Sequence, residues 1–414
     1  MEILLIGSGG REHAIARKIS KNGKVSKIYC APGNGGTAIE NKCVNININS
    51  IEELKKFAID NKVDLTIVGP EKPLIDGIVD VFKKEELKIF GPSQNAAMLE
   101  GSKSFSKDFM KKYAVKTAEY ESFSDYEKAL NYLRKKEFPI VIKADGLAAG
   151  KGVYICHSYE DGKNALKEIM IEDVFNGAGS TVVIEEYLEG IEASVLSITD
   201  GKTIKPFISA KDHKQIYDGG KGPNTGGMGV LAPNPYVTKE VMKDFEENIM
   251  KKTLKGIKEE KLDFCGIIFF GIMITKKGCY LLEYNVRMGD PETQSVLELM
   301  DSDLLELIEY SLNGNLNLFD LQWKSKYCCN VVLVSEGYPG PFNKGEKIEF
   351  NEKIINNIIF AGSKLDGDKM ITSGGRVLSV IGIGDNDKEA VIDAYDKIKF
   401  IKFKGKYFRN DIGL

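Results

Sequence analysis

The sequence predicts a multidomain fold of mixed α/β and α+β class, with an N-terminal doubly wound parallel sheet and a small, strand-rich C-terminal domain. Its 414 residues, 43% of them hydrophobic, suffice for about two to four domains with separate cores. Short apolar segments alternate with helical ones in the first quarter of the chain, and longer strands follow Gly190. We expect domains at 1–102, 103–188, 189–326 and 327–414.

The N-terminal domain is predicted from strand-like segments that alternate with helical ones. The strands are "EILLIG", "KIYCA", "VDLTIVGP" and "KIFGP", and a single helix is expected over residues 73–86. Units of this size imply a parallel sheet with helices on both faces.

The later segments are predicted to be antiparallel. A basic helix at "GSKSFSKDFMKK" precedes a compact α+β unit. Strands joined by the turns "TDGK" and "TKKG" indicate hairpins, and one long helix is expected over residues 238–260. A further small strand-rich domain follows Tyr327.

Composition excludes several classes of protein. Lys and Arg number 57 against 60 Asp and Glu, and the net charge of −3 disfavours a nucleic-acid binder. No apolar run is long enough for a membrane helix, and "MEILLIGSGG" lacks the basic start of a signal peptide. The 7 cysteines show no CxxC pair, so neither a disulfide framework nor a zinc site is indicated. We expect a cytoplasmic protein without nucleic-acid or membrane partners.

The segment "KADGLAAGKG", Lys143 to Gly152, lies between two strand-like runs. It is not a P-loop, because only three residues separate Gly146 from Gly150 and a glycine replaces the Ser or Thr that would bind magnesium. A glycine-rich turn between strands instead predicts a hairpin lid whose backbone N–H groups cover phosphates.

The N-terminal "GSGGREHA" follows a strand and opens a helix. Glu12 occupies the last glycine position of a dinucleotide fingerprint, and no acidic residue ends the second strand, so NAD binding is disfavoured. Free N–H groups near Gly9 and Gly10, together with Arg11, predict a site for a small phosphorylated molecule. The alternative is a tight strand-to-helix turn without a ligand.

A third glycine-rich stretch, "KGPNTGGMG" at residues 221–229, is predicted to form a loop without regular structure. Long loops in compact domains are often functional, although a plain surface loop is the alternative.

The stretch "LLEYNVRMGDPETQ" carries Glu283 and Asn285 two residues apart, on one face of a strand. Carboxylate and amide oxygens suit Mg²⁺ when phosphates supply its other ligands. Arg287 continues this face and suits an anion. The alternative is a ladder of salt bridges on an edge strand.

The segment "EEYLEGIE", at residues 185–192, is either a hinge that binds a purine or a strand end that faces solvent.

Twelve segments in order resemble the phosphoribosylamine–glycine ligase family of the ATP-grasp superfamily, across nearly the whole chain. They are "GSGGREHA", "APGN", "GPEKPLIDGIVD", "FGPS", "LEGSKSFSKDFM", "VIKADGLAAGKGV", "EEYLEGIEAS", "KDHK", "GPNTGGMG", "GDPETQ", "EGYPG" and "GGRVL". The resemblance implies an ATP-grasp fold and ATP-dependent ligation of glycine to 5-phosphoribosylamine through glycyl phosphate, in purine biosynthesis. The alternative is an ATP-grasp carboxylate–amine ligase acting on a different amino acid or phosphoribosyl amine.

The resemblance also implies roles for individual residues. Those expected to be catalytic are Lys143, Arg287 and Asp212. Those expected to bind ATP are Lys103, Lys143, Gly146, Ala149, Gly150, Lys151, Glu185, Glu186, Tyr187, Leu188 and Glu192. Those expected to bind the other substrates are Gly9, Gly10, Arg11, Glu12, His213, Lys214, Thr225, Gly226, Gly227, Asp290, Pro291, Glu292 and Thr293. Glu283 and Asn285 are expected to hold Mg²⁺ or Mn²⁺.

The sequence departs from the family pattern at two points. The strand "FFGIMI" offers no second metal-binding carboxylate, so a second metal would need Glu292 or phosphate oxygens. Met288 replaces an expected Phe, which is a change in packing. We expect a monomer that makes transient contact with the enzyme producing phosphoribosylamine.

Overall fold

The computed structural model describes residues 1–148 and 151–414. The first segment is a parallel sheet with the order β3-β2-β1-β4-β5 and helices on both faces, which confirms the doubly wound prediction. Its elements are β1 Glu2–Gly7, α1 Gly10–Ser20, β2 Lys27–Pro32, α2 Gly35–Ile39, β3 Cys43–Asn45, α3 Ile51–Asp60, β4 Leu65–Val68, α4 Glu71–Ile75, α5 Ile78–Lys84, β5 Ile89–Pro92 and α6 Gln94–Gly101.

The single helix predicted over residues 73–86 is wrong. Gly77 adopts a left-handed conformation, with φ of 87°, and separates α4 from α5. A residue with a side chain rarely adopts this conformation, so the glycine breaks the apolar pattern that resembled one helix.

The second segment is a four-stranded antiparallel sheet with the order β6-β9-β7-β8. Its elements are α7 Lys103–Lys112, β6 Tyr120–Phe123, α8 Tyr126–Leu133, β7 Ile140–Ala144, β8 Val153–Cys156, α9 Tyr159–Met170 and β9 Val182–Glu186. Leu133 and Leu166, from α8 and α9, belong to one apolar core with Ile142 and Ile184 of the sheet. Lys143 and Glu185 alternate with these strand residues and so lie on the other face of the sheet.

The third segment contains the two predicted hairpins, β10 with β11 and β15 with β16, which the structure confirms as antiparallel pairs. Its elements are β10 Ile191–Thr199, β11 Ile204–Asp212, β12 Gln215–Tyr217, β13 Lys221–Asn224, β14 Gly229–Ala232, α10 Lys239–Phe245, α11 Lys251–Glu259, β15 Phe264–Thr275, β16 Gly278–Asn285, α12 Glu292–Leu299 and α13 Leu304–Leu312. The predicted long helix is present as α10 and α11, joined by a π-helical turn at Glu246–Met250.

The prediction that residues 221–229 form no strand is wrong in part. Lys221–Asn224 pairs with Gln215–Tyr217 in a short hairpin of irregular register. Cross-strand hydrogen bonds override the weak strand preference of glycine and proline here.

The C-terminal segment is rich in strands, as predicted. Its elements are β17 Tyr327–Ser335, β18 Glu349–Phe350, β19 Ile358–Phe360, β20 Ser363–Asp366, β21 Lys369–Thr372, β22 Arg376–Gly384, α14 Asp387–Ile398, β23 Ile401–Lys402 and β24 Lys406–Tyr407. β17 pairs with β14 and β15 pairs with β5, so one continuous sheet runs through the N-terminal, central and C-terminal segments. No helix in the described part of the chain is long and apolar enough to cross a membrane.

His13 joins the N-terminal segment to the C-terminal one. Its ring is fully buried, and its Nδ1 accepts a hydrogen bond of 2.9 Å from the backbone N–H of Phe360. The Nε2 atom lies 3.3 Å from the Glu40 carboxylate. Burial lowers the pKa of His13 from 6.5 to about 4, although Glu40 opposes the shift. The ring is therefore neutral at physiological pH.

The low pKa of His13 predicts a pH-dependent loss of stability. In the unfolded chain His13 takes up its proton near pH 6.5, whereas in the folded protein it does so only near pH 4. The free energy of unfolding should therefore decrease as the pH falls from about 6.5 to about 4. His13 should account for about 3 kcal/mol of this decrease in the free energy of unfolding. Urea titrations between pH 7 and pH 4 should show a smaller decrease for His13→Asn than for the wild type.

His157→Asn is the matched control, because His157 is exposed. This variant should keep the wild-type pH dependence. An equal decrease in His13→Asn and the wild type would contradict the assignment.

Candidate active site

Glu283 lies at the centre of a group of cations. It projects from β16, and burial alone would raise the pKa of its carboxyl group. Positive charges nearby nevertheless hold the pKa below its ordinary value. The cations come from four places in the chain, namely Lys214, Lys143, Lys103 and Arg287. Glu283 is therefore ionised at neutral pH.

Asn285 lies beside Glu283 on the same strand, and its amide oxygen accepts a hydrogen bond of 3.0 Å from Arg287. This contact fixes the amide so that its oxygen has a defined direction. An ionised carboxylate and an oriented amide oxygen fit Mg²⁺ or Mn²⁺. Among residues 1–148 and 151–414, no group of three or more His, Cys, Asp or Glu could hold a metal. A metal at Glu283 and Asn285 would thus take its remaining ligands from a substrate or water.

Lys143 of β7 contacts both sheets that surround the site. Its ammonium lies 2.9 Å from Oε2 of Glu185 and 3.4 Å from the carbonyl oxygen of Leu282. Lys107, which the sequence analysis did not identify, lies 3.1 Å from the same Glu185 oxygen. The other oxygen of Glu185 is buried and has no hydrogen-bond partner among the described residues.

Burial lowers the pKa of Lys107 to about 8, although Glu185 opposes this shift. Burial would raise the pKa of Glu185, but Lys143 and Lys107 hold it below its ordinary value. A signal for Lys107 does exist in the sequence. It follows Lys103 by four residues, which places both on one face of α7.

Lys103 begins α7 and faces the start of the glycine-rich turn. Its ammonium lies 3.2 Å from the carbonyl oxygen of Gly146, and the Asp145 carboxylate accepts a 2.6 Å hydrogen bond from the N–H of Ser104. Burial lowers the pKa of Lys103. Asp145 thus satisfies an N–H in the first turn of α7, next to the N-cap residue Ser102. Both phosphate-binding candidates, Lys103 and Lys143, lie near Glu283.

The rest of the predicted phosphate lid is described in part. Gly146 donates its N–H to the carbonyl oxygen of Ala178 over 3.0 Å, and the side chain of Lys151 is exposed. The predicted residues Ala149 and Gly150 lie outside the described residues.

The predicted purine hinge lies where β9 ends. Glu185 and Glu186 are the last residues of the strand, and Tyr187 and Leu188 continue beyond it. Glu192, the predicted ribose partner, forms a 2.5 Å ion pair with Lys214. Burial alone would lower the pKa of Lys214, but Glu192 and Glu283 raise it.

The start of α1 is occupied by carboxylates. Glu12 is buried and accepts hydrogen bonds of 2.5 Å from the N–H of Gly9 and from Nε of Arg11. Asp290 accepts a weaker one, at 3.4 Å, from the N–H of Arg11. Gly10 meets the side chain of Gln294 rather than an open space. The predicted phosphate site therefore presents two acids, because the turn caps itself with Glu12.

Arg287 is held by two acids that the sequence analysis did not single out. Its guanidinium lies 2.9 Å from Glu100 and 3.2 Å from Glu71. Burial raises the pKa of Glu100, whereas Arg287 and Arg11 hold that of Glu71 low despite its burial. Arg287 is thus fixed at the boundary between the N-terminal and central segments, and its orientation toward Asn285 is set.

Asp212 and Glu292 form a pair of acids at the ends of β11 and α12. Burial and the neighbouring Glu292 raise the pKa of Asp212 well above its ordinary value. One Asp212 oxygen is buried without a hydrogen-bond partner in the described part of the protein. Gly227 passes close by with φ of 113°, and a Cβ there would lie 2.8 Å from this oxygen. Asp212 therefore holds a proton more readily than an ordinary aspartate.

Arg376 joins the loop at Thr225 to Gly227 to Asp290, in the loop that precedes α12. This guanidinium donates from Nη1 to the carbonyl oxygens of Gly226, at 2.5 Å, and Asp290, at 2.6 Å. Asn330 holds the carbonyl oxygen of Pro291 at 3.0 Å. Arg376 belongs to the "GGRVL" segment, to which the sequence analysis gave no role.

His213, a predicted substrate residue, contacts backbone groups with both ring nitrogens. Its Nδ1 lies 3.2 Å from the carbonyl oxygen of Gly229, and its Nε2 accepts from the N–H of Gly413 at 3.4 Å. Burial lowers the pKa of His213 to about 4. Backbone contacts thus account for both ring nitrogens without a substrate.

The four-stranded sheet and the antiparallel central sheet, with lysines and acids between them, define a protein of the ATP-grasp class. Three family models match: the phosphoribosylglycinamide synthetase N domain over residues 1–100, the ATP-grasp (A) domain over 101–293 and the C domain over 328–414. The chain belongs to the phosphoribosylglycinamide synthetase family.

Individual relatives agree with this assignment. The chain is 60% identical to the phosphoribosylamine–glycine ligase of Clostridium acetobutylicum, over 100% of this chain and 99% of the relative. It is 54% identical to the enzyme of that name from Fusobacterium nucleatum, over 100% and 98%. The crystal structure of phosphoribosylamine–glycine ligase from Thermotoga maritima superposes with a TM-score of 0.89 at 33% identity, covering 100% of both chains.

The contacts of Arg376 predict that it orders the Thr225–Gly227 loop. Replacing it by Met removes both hydrogen bonds to the loop carbonyls, so amide hydrogen exchange over residues 225–228 should accelerate by about tenfold. Mass spectrometry of peptides from this loop measures the effect.

The exposed Arg134 supplies the control, since Arg134→Met should leave exchange in this loop unchanged. Unchanged exchange in Arg376→Met would show that the loop is ordered without the guanidinium.

Proposed function

We propose that this protein joins glycine to 5-phosphoribosylamine, forming glycinamide ribonucleotide while ATP is converted to ADP and phosphate. The relatives that share up to 60% of its residues are named for this ligation. The single observation in the structure that carries the proposal is the group of four cations around the ionised Glu283. Such a group suits a triphosphate, because negative charge develops on the β-phosphate oxygens as the γ-phosphate is transferred and ADP leaves.

The reaction needs two displacements because a carboxylate is a poor electrophile. A carboxylate oxygen of glycine attacks the γ-phosphorus of ATP, the bond to the β-phosphate oxygen breaks, and ADP leaves. The amine of phosphoribosylamine then attacks the carbonyl carbon of glycyl phosphate and expels phosphate. The nitrogen loses one proton as the amide forms. No covalent bond to the protein is required, so catalysis rests on position and charge.

Lys143 and Lys103 are assigned to the phosphates of ATP, and Tyr187 and Leu188 to the purine. Glu283 and Asn285 would hold Mg²⁺ or Mn²⁺, which supplies charge neutralisation at the phosphate oxygens when bound. Arg287 orients the Asn285 amide. Glu71 and Glu100 fix the guanidinium of Arg287 in this position.

Asp212 is assigned to the proton that the attacking amine releases. Its raised pKa makes its carboxylate a better base than an ordinary aspartate. Gly227 belongs to one of the two loops that Arg376 joins, and Glu292 begins α12 just after the other. We therefore place glycine and the amine between these loops.

The phosphoribosylamine moiety is assigned to the space between the start of α1 and these loops. Glu12 and Asp290 suit its hydroxyl groups better than its phosphate, because two acids repel an anion. Arg11 remains the candidate cation for that phosphate. We also propose that the enzyme is a monomer and acts in the cytoplasm.

Purified protein should form ADP only when glycine and phosphoribosylamine are both present with ATP and a divalent metal. Lys143→Ala should fold and lose about 10²–10³ in kcat, the loss typical of a principal charge-stabilising group. Coupled ADP detection and far-ultraviolet circular dichroism measure the two properties. Lys135→Ala, at an exposed residue, is the control.

ADP formation with another amino acid in place of glycine, but not with glycine itself, would instead identify a different carboxylate–amine ligase. Wild-type kinetics in Lys143→Ala would remove this lysine from the site.

Glu283→Gln should weaken metal binding, because it replaces the charged member of the oxygen pair. Loss of an outer-shell partner costs on the order of 10–100-fold in metal affinity, and loss of a direct ligand should cost at least as much. Mn²⁺ binding in the presence of ATP, followed by electron paramagnetic resonance, reports affinity independently of turnover.

Glu352→Gln, at an exposed acid, should bind Mn²⁺ as the wild type does. Unchanged Mn²⁺ affinity in Glu283→Gln would place the metal elsewhere.

A further inference from the structure

Lys107 is a buried cation to which the reaction above gives no task. It lies on α7 with 2% of its surface exposed, and its ammonium contacts Oε2 of Glu185 at 3.1 Å and Oγ1 of Thr117 at 2.7 Å. Burying an ammonium group is costly unless its charge is compensated. Because Lys107 is buried beside Glu185 and Lys143, which are assigned to the nucleotide, we looked for a role of its charge in nucleotide binding.

The surroundings of Lys107 fix its direction. The hydroxyl of Thr117 donates to the carbonyl oxygen of Leu281 at 2.6 Å, which leaves its lone pairs to accept from Lys107. Leu281 belongs to β16, the strand that carries Glu283. The ring of Tyr120 lies 5.7 Å from the ammonium. Lys107 is therefore held toward Glu185 by contacts that involve no ligand.

Charge balance gives this arrangement a consequence. Lys143 lies 2.9 Å from the same Glu185 oxygen that Lys107 contacts. Among Lys107, Lys143 and Glu185, two ammonium groups and one carboxylate leave one net positive charge. With Lys107 absent, Glu185 and Lys143 would neutralise each other, and the attraction of Lys143 for a polyphosphate would decrease.

We propose that Lys107 is a positioning residue that holds the charge of Glu185 and so keeps Lys143 available to the phosphates of ATP. It acts through Glu185 and does not touch the nucleotide. The inference rests on the proposed function in one respect, the assignment of Lys143 to ATP. Lys107 is distinguished from Lys103, whose ammonium faces the glycine-rich turn instead of Glu185.

The test compares MgATP affinity, measured by titration calorimetry, in four proteins: the wild type, Lys107→Met, Glu185→Gln and the double variant. Lys107→Met should weaken binding on the order of tenfold, as expected when one charge pair is rebalanced. In the double variant, Glu185→Gln removes the carboxylate that would otherwise compete with the phosphates of ATP for the Lys143 ammonium. Lys107→Met should therefore change the affinity by less than about threefold in the Glu185→Gln background.

The comparison in the Glu185→Gln background applies even if Lys107→Met alone fails to fold. Lys107→Arg, which keeps the charge, should bind MgATP more tightly than Lys107→Met. Lys111→Met, an exposed lysine on the same helix, is the control for the loss of a charge and should bind as the wild type does.

Three outcomes would overturn the proposal. They are wild-type affinity in folded Lys107→Met, an equally large loss in the presence and absence of the Glu185 charge, and an affinity of Lys107→Arg no higher than that of Lys107→Met. The second outcome would show that Lys107 contacts the nucleotide directly. Failure of the proposed ligation is a separate result, because wild-type protein would then bind MgATP without forming ADP from glycine and phosphoribosylamine.

Discussion

Buried acids that require cations from other segments determine how this molecule is assembled. Glu283 on β16 is balanced by cations from β7, α7 and the loop after β11, and Glu185 on β9 by Lys143 and Lys107. An uncompensated buried carboxylate costs several kcal/mol, which is comparable with the net stability of a domain. The same ion pairs that permit these segments to pack therefore bring positive charge to the place where a polyphosphate is assigned.

The continuous sheet gives these charges a rigid support. β5 pairs with β15 and β14 pairs with β17, so backbone hydrogen bonds join the N-terminal, central and C-terminal segments. Side chains on paired strands keep their spacing better than side chains on loops. The candidate metal residues lie on such a strand, whereas the candidate residues for glycine lie on loops that Arg376 connects.

Local patterns were enough to predict much of the fold and part of the site. The parallel sheet and the hairpins followed from alternation and turn residues, and the shared face of Glu283 and Asn285 followed from their spacing of two. The self-capping of Glu12 was not predicted, because its carboxylate satisfies donors that the sequence shows as free. Arg376 and Glu100 act on residues distant in sequence, and such contacts depend on tertiary packing that local preferences do not encode.

The contacts of Arg376 also bear on the order in which the protein acquires its site during synthesis. The loops that it joins, near Gly226 and Asp290, leave the ribosome well before residue 376 does. Domains generally fold as units, beginning from the N-terminus as the chain emerges. The segments that carry the candidate nucleotide residues can thus fold early. The loops near Gly226 and Asp290 lack the hydrogen bonds of Arg376 until β22 enters the sheet. The two loops to which glycine and phosphoribosylamine are assigned therefore gain the hydrogen bonds of Arg376 only when the last domain is complete.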